Sequence, residues 1–256
     1  MSDQYVLSRR KAIALFGMSA AVIAAEGAQS NPAPAYAGSG ELESVGGSAR
    51  PQYIFGYGSL VQRQSRVETW PGAEFAFPVI VHGVSRGWFD QTGGTSWNPT
   101  YLGALLSKDA ACNGVIFPVT GAELAAYGER EVGYQLTKID ASQIIMLDGS
   151  QTVPEASIWF YGNTEKKFPS SEHPIVQSYV DVCLDGCLEI EAMYPLARQA
   201  NFAEQFLRTT SNWQPPWIND RIYPWRPSVY VPRASQIDAL IRKVLGEDIF
   251  AKITLK

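Results

Sequence analysis

Two short stretches of the chain combine residue types that could do chemistry. The first, Gly56-Tyr57-Gly58-Ser59-Leu60, lies at the end of the β-type run Gln52–Tyr57. A dinucleotide fingerprint would need a third glycine where Val61 stands, and Ser59 is not set in a G-x-S-x-G elbow. What remains is a turn whose glycines let backbone N–H groups face an anion such as a carboxylate, or an ordinary strand–turn. The second stretch, Glu129-Arg130-Glu131-Val132-Gly133-Tyr134, sets two acids around an arginine. A solvated helix end explains it, unless one acid faces a pocket where burial raises its pKa and suits it to proton transfer. Taken singly, each stretch is explained better by structure than by chemistry.

Other reactive side chains are few. Cys183 and Cys187 have helical i, i+4 spacing, but both fall on an apolar stripe without a third ligand nearby, so they read as core residues, as does Cys112. Only two histidines occur, His82 and His173, which leaves little room for a histidine-based metal site or relay. The arm Trp213–Pro232 is dense in Trp, Tyr and Pro. Its prolines argue against a helix and against a central strand. It reads as an extended arm wrapped over the core, or as a pocket wall with Arg221 or Arg226 meeting a substrate carboxylate.

The elements that must position these residues follow from pattern. Strands are expected at Gln52–Tyr57, Phe75–Val84, Asn113–Val119 and Ala156–Tyr161, and a short helix at Gly121–Tyr127. A longer helix is expected after Ser170-Ser171-Glu172, with a serine as N-cap. Its apolar positions would be Val176, Tyr179, Val180, Cys183, Leu184 and Cys187. A last helix carries Ile237, Leu240, Ile241, Val244 and Leu245 before Gly246. Mixed rather than alternating elements favour an α+β fold.

Composition bounds the rest. The 256 residues are 46% hydrophobic and 18% charged, with 7 Trp, 12 Tyr and 11 Phe, which excludes disorder. A net charge of -4 argues against a nucleic-acid partner, and three cysteines exclude a disulfide scaffold. Arg9-Arg10-Lys11, the apolar run Ala12–Ala25 and Ala35-Tyr36-Ala37 occur in the order of an export signal, with paired arginines of the twin-arginine kind. Residues 1–37 therefore read as a cleaved leader, 38–50 as a flexible Gly/Ser-rich segment, and 51–256 as one folded domain. The apolar run is too short to span a bilayer, so no stable membrane anchor is expected. Export would lead to a periplasm, a thylakoid lumen or the extracellular space; an amphipathic or disordered N-terminal tail on a cytoplasmic protein is the alternative.

In order and together, the two motifs resemble the γ-glutamylcyclotransferase superfamily, in its ChaC-like branch. There a strand ends in a YGSL turn, and a later Leu-Asp-x-Arg-Glu segment followed by Gly-Tyr carries the catalytic glutamate. Tyr57-Gly58-Ser59-Leu60 matches the turn, and Arg130-Glu131 with Gly133-Tyr134 matches the second segment, while Tyr127-Gly128 stands in place of Leu-Asp. Gly83, Gly114-Val115, Ser178-Tyr179-Val180 and Gly186 are similar too, so the likeness spans roughly Tyr53 to Leu188.

The resemblance implies a small mixed β-barrel with flanking helices, and a reaction without metal or cofactor. In that reaction the α-amine of a γ-glutamyl compound, such as glutathione or a γ-glutamyl amine, attacks its own γ-carbonyl. The products are 5-oxoproline and the free amine. Glu131 would be the acid/base. Tyr57, Gly58, Ser59, Leu60 and Tyr134 would bind the substrate. A non-catalytic γ-glutamyl or amino-acid binding module on the same fold is the alternative.

Overall fold

Residues 44–45, 48–49, 51–91, 98–124, 134–150, 153–225 and 232–255 are described by the structure, a computed structural model. Leader positions 1–37, Glu129, Arg130, Glu131 and Arg226 lie outside the described residues. Within the segment read as flexible, β1 (Ser44–Val45) and β2 (Ser48–Ala49) pair as a two-residue antiparallel ladder.

The strand expected at Gln52–Tyr57 ends one residue early, and the one expected from Phe75 starts at Phe77 but runs on to Asp90. β3 (Gln52–Gly56) is followed by a 3-10 turn (Ser59–Val61), then α1 (Arg63–Thr69), β4 (Phe77–Asp90) and β5 (Tyr101–Val119). β4 and β5 form a long antiparallel hairpin whose register slips between His82 and Val84. Residues 121–124 form one helical turn, with the Glu123 amide donating to the Thr120 hydroxyl at 3.2 Å. The rest of the short helix expected there lies outside the described residues. β6 (Tyr134–Ile139), β7 (Ile144–Met146) and β8 (Ser157–Asn163) complete the main sheet together with β10 (Thr210–Ser211).

Strand order in that sheet is β10-β4-β5-β3-β8-β6, with β7 also on β4, and β3 parallel to β8 amid antiparallel neighbours. In a flat sheet β6 and β7 would stand about 24 Å apart, five spacings of about 4.8 Å. The chain from Ile139 to Ile144 reaches only about 17 Å. The sheet therefore curls, and the turn Asp140–Gln143 bridges its two sides. Among the described residues the hydrogen-bonded path itself stays open between β6 and β7. The class is α+β with a mixed sheet and flanking helices.

β9 (Ile175–Val176) leads directly into α2 (Gln177–Met193), so the long helix begins later than the serines at 170 and 171 suggest. Pro174 biases the preceding residue away from helix. The backbone there is pulled into extended pairing instead, Thr100 donating to the Pro174 carbonyl and Ile175 to that of Pro216, both at 2.9 Å. The expected apolar stripe of α2 is buried, but so is its opposite face, including Asp181 and Asp185. That face is met by the arm, through Arg221 on Asp181, and by Arg233 at the start of α5 (Ala234–Leu245), on Asp185; α3 (Pro195–Gln199) and α4 (Phe202–Arg208) also pack on α2, and α6 (Glu247–Phe250) follows α5.

The arm departs from the sequence reading in one respect. Its residues Trp217–Asn219 form β11, the middle strand of a small parallel sheet between β9 and β12 (Thr254–Leu255). Three residues between Pro216 and Pro224 are enough for that pairing, so proline did not exclude a central strand. No helix among the described residues is long and apolar enough to cross a membrane.

Candidate functional site

Gly58 is the pivot of the turn. It is buried, and it precedes the 3-10 turn closed by Val61 N–H to the Gly58 carbonyl at 3.0 Å and Gln62 N–H to that of Ser59 at 3.1 Å. Those bonds leave the amides of Gly58, Ser59 and Leu60 without an acceptor among the described residues. The carbonyls are held from behind by two buried guanidiniums. Arg66 donates to Leu60 at 3.0 Å and Val61 at 2.8 Å, and Arg86 to Tyr57 at 3.3 Å. The Tyr57 carbonyl shares its planar peptide with the Gly58 N–H, and the Gly58 and Ser59 carbonyls, held by the Val61 and Gln62 amides, share theirs with the Ser59 and Leu60 N–H groups, so the three free amides are held in orientation.

Helix α2 is set against this turn by two close approaches. A Cβ on Gly186 would lie 2.4 Å from the Gln62 amide nitrogen, so only glycine lets the helix come so near. A Cβ on Gly58 would lie 2.9 Å from the Tyr179 hydroxyl and 3.8 Å from Leu102 Cβ. Tyr179 is itself wedged edge-on between Trp88 and Tyr101, with ring centroids 5.8 and 5.1 Å away. The indole N–H of Trp88 is buried and makes no hydrogen bond among the described residues.

Register brings Tyr134 to the same end of the sheet. It pairs with Asn163 at the end of β8, and β8 runs parallel to β3, which leads into the turn. Tyr57 ties the two strands together, its hydroxyl donating to the Tyr161 carbonyl at 2.6 Å. The Tyr134 hydroxyl donates to Asp90, a carboxylate only 1% exposed, whose other oxygen accepts from Asn163 Nδ2 at 3.0 Å. The structure thus gathers Tyr57, Gly58, Ser59, Leu60 and Tyr134 at one end of the curled sheet. It adds Asp90, Asn163, Tyr179 and Arg86, which the sequence reading missed. A lone acid ending the apolar run of β4 was the one available hint, at Asp90.

The arm's role is legible too. Arg221 donates to Asp181 through Nε and Nη2, both at 2.7 Å, and to Asp238 at 2.9 and 2.8 Å. Burial alone would lower its pKa, but the two carboxylates outweigh that and hold the guanidinium above its ordinary value. Arg221 is thereby committed to protein carboxylates rather than to a ligand. The three cysteines are buried, and no cluster of metal-ligating side chains occurs among the described residues.

Comparison with known proteins adds only loose likenesses. No family model and no curated protein matches the chain. Among solved structures, an uncharacterized protein from Homo sapiens is 16% identical, with 59% of this chain and 87% of that one covered at a TM-score of 0.46. A γ-glutamyl cyclotransferase is 14% identical over 75% of this chain and 98% of its own, at a TM-score of 0.45. A γ-glutamyl cyclotransferase specific to glutathione, from yeast, is 13% identical over 62% and 97%, at 0.37. Similarity at this level carries no functional argument.

Proposed function

We propose that the protein is a γ-glutamylcyclotransferase-like enzyme of the ChaC-like kind, converting a γ-glutamyl compound to 5-oxoproline and a free amine. One observation supports the reading: the YGSL turn and Tyr134, which follows Arg130-Glu131 in sequence, come from distant parts of the chain and stand at the same end of the curled sheet.

The chemistry needs little else. A carboxylate at Glu131 takes a proton from the substrate ammonium, freeing the α-amine to attack the γ-carbonyl. A new C–N bond closes the five-membered ring, the attacking nitrogen gives up a second proton, and both protons pass to the departing nitrogen as the old amide C–N bond breaks, releasing it as an ammonium. General acid–base catalysis of this kind contributes about 10²–10⁴-fold, and holding the substrate folded supplies further acceleration. The amides of Gly58, Ser59 and Leu60 are suited to hold the glutamyl headgroup or the developing oxyanion. Incubation with glutathione and with γ-glutamyl amines tests the reading: release of 5-oxoproline supports the enzyme, and saturable binding without product supports the binding module instead.

Export is part of the same proposal. A reporter carrying residues 1–37 should leave the cytoplasm, and Arg9/Arg10→Lys should abolish this. Cytoplasmic retention of both forms would reject the signal.

A further inference from the structure

Arg86 is fully buried, yet none of its hydrogen-bond partners among the described residues is a carboxylate. It donates to the hydroxyls of Thr209 and Thr210 at 2.9 and 2.7 Å, the Asn113 side chain and carbonyl, the Phe206 carbonyl at 2.8 Å, and the Tyr57 carbonyl at 3.3 Å. Its guanidinium also lies 3.7 Å from the centroid of the Phe206 ring. Among the described residues, the titratable groups facing it are Cys112, Cys187, Cys183 and Tyr179. Burial pushes the thiols of Cys112 and Cys187 up, with Arg86 pulling them back only in part, so they stay neutral at physiological pH. Burial lowers the pKa of Arg86 from its ordinary value, yet an arginine starts so high that it remains charged even when buried.

The bland role for such a group is to close the C-terminal end of α4, whose carbonyl at Phe206 it meets. That accounts for one side of the guanidinium. The other side meets the Tyr57–Gly58 peptide, the one that supplies the first free amide of the turn. A cation on that carbonyl draws electron density from the peptide and strengthens the Gly58 N–H as a donor. With no carboxylate among the described residues to spend its field on, the charge acts toward whatever sits at those amides.

We infer that Arg86 is a positioning residue that makes the Tyr57–Leu60 turn selective for a headgroup bearing a free carboxylate. The inference rests on the turn being the headgroup site, but it does not need turnover. Arg86 acts through the backbone, so no contact with substrate is required of it. The headgroup it favours is an α-amino acid rather than its decarboxylated analogue.

The test is calorimetric binding of 5-oxoproline, which carries the carboxylate, against 2-pyrrolidinone, the same ring without it. The wild-type protein should bind 5-oxoproline at least about tenfold more tightly. Arg86→Gln should erase that preference, and Arg86→Lys should keep most of it. Loss of affinity for both ligands in equal proportion would mean a merely structural residue and overturn the inference. Equal binding of the two ligands by the wild type, or binding of neither, would overturn it as well. Should R86Q fail to fold, R86K decides: retained charge with lost preference contradicts the inference, and retained preference supports it. Failure of the enzyme reading looks different, as tight 5-oxoproline binding with no release of product from γ-glutamyl compounds.

Discussion

Asp220 caps helix α2 from outside the helix, accepting the Ser178 amide at 2.7 Å on one oxygen and the Ser178 hydroxyl at 2.6 Å on the other. The second oxygen also takes the Trp225 amide at 2.7 Å, so one buried carboxylate ties the arm to the first turn of the helix that presents Tyr179 to Gly58. Asp220→Ala strands three donors, of which two are backbone N–H groups. We expect a loss of at least about 3 kcal/mol of stability, read as a fall in Tm, since each of the three bonds to this buried carboxylate left unmade costs about 1–3 kcal/mol. Asp220→Asn retains an acceptor and should cost less. A Tm unchanged in D220A would show that the cap contributes nothing.

The 2.9 Å approach between the position of a Gly58 Cβ and the Tyr179 hydroxyl predicts a compensating pair. Gly58→Ala should lower kcat/KM on γ-glutamyl substrates by at least about tenfold as the turn is pushed off Tyr179. Removing the hydroxyl with Tyr179→Phe in the same chain should restore much of that loss. Independent, additive effects of the two substitutions would refute direct contact.

Tyr134→Phe removes one donor from the buried Asp90 carboxylate. A loss of about 1–3 kcal/mol is expected, the scale of a hydrogen bond to a charged group. Asp90→Asn, which needs less donation, should soften the effect of Tyr134→Phe in the double variant. Denaturant unfolding of the four proteins measures the coupling.

Much of the fold was legible locally. Apolar and β-branched runs punctuated by glycine marked β3, β4, β5 and β8, and the 3.6-residue period marked α2 and α5. Three features were not, for a shared physical reason. The N-terminus of α2 is satisfied by Asp220, 42 residues away, so its own serines at 170 and 171 misled. Tyr134 meets Asp90 across 44 residues, and Arg86 meets Phe206 across 120. A polar pair closed by tertiary packing leaves no periodicity in either segment. Proline misled for the opposite reason: Pro216 and Pro224 flank the three-residue β11 rather than lie in it, so its ladder loses no donor.

Stability should depend on pH through glutamates of α2 and α4. Burial holds Glu189 and Glu191 above the ordinary glutamate value, against the pull of the Arg63 and Ala203 amides that donate to them. Each therefore binds its proton more readily in the folded state, so its contribution grows as pH falls from 7 toward about 4.3 and is lost as pH rises through the native pKa. Glu204 runs the other way. Hydrogen bonding by Lys243 leads the causes that lower its pKa, so its contribution is present above the ordinary value and lost as pH falls through the native one. Glu191→Gln keeps an acceptor for Ala203 and should flatten the rise in Tm between pH 7 and about pH 5. An unchanged slope would contradict the assignment.

Everything functional here turns on one carboxylate, and one assay reaches it. 5-Oxoproline release from glutathione and from γ-glutamyl amines should be measured for the wild type and for Glu131→Gln, with Tm confirming that both are folded. The account predicts measurable release by the wild type, and at least about a 100-fold loss in the variant. Turnover by a folded Glu131→Gln protein near the wild-type rate would contradict it, and would move attention to Glu129.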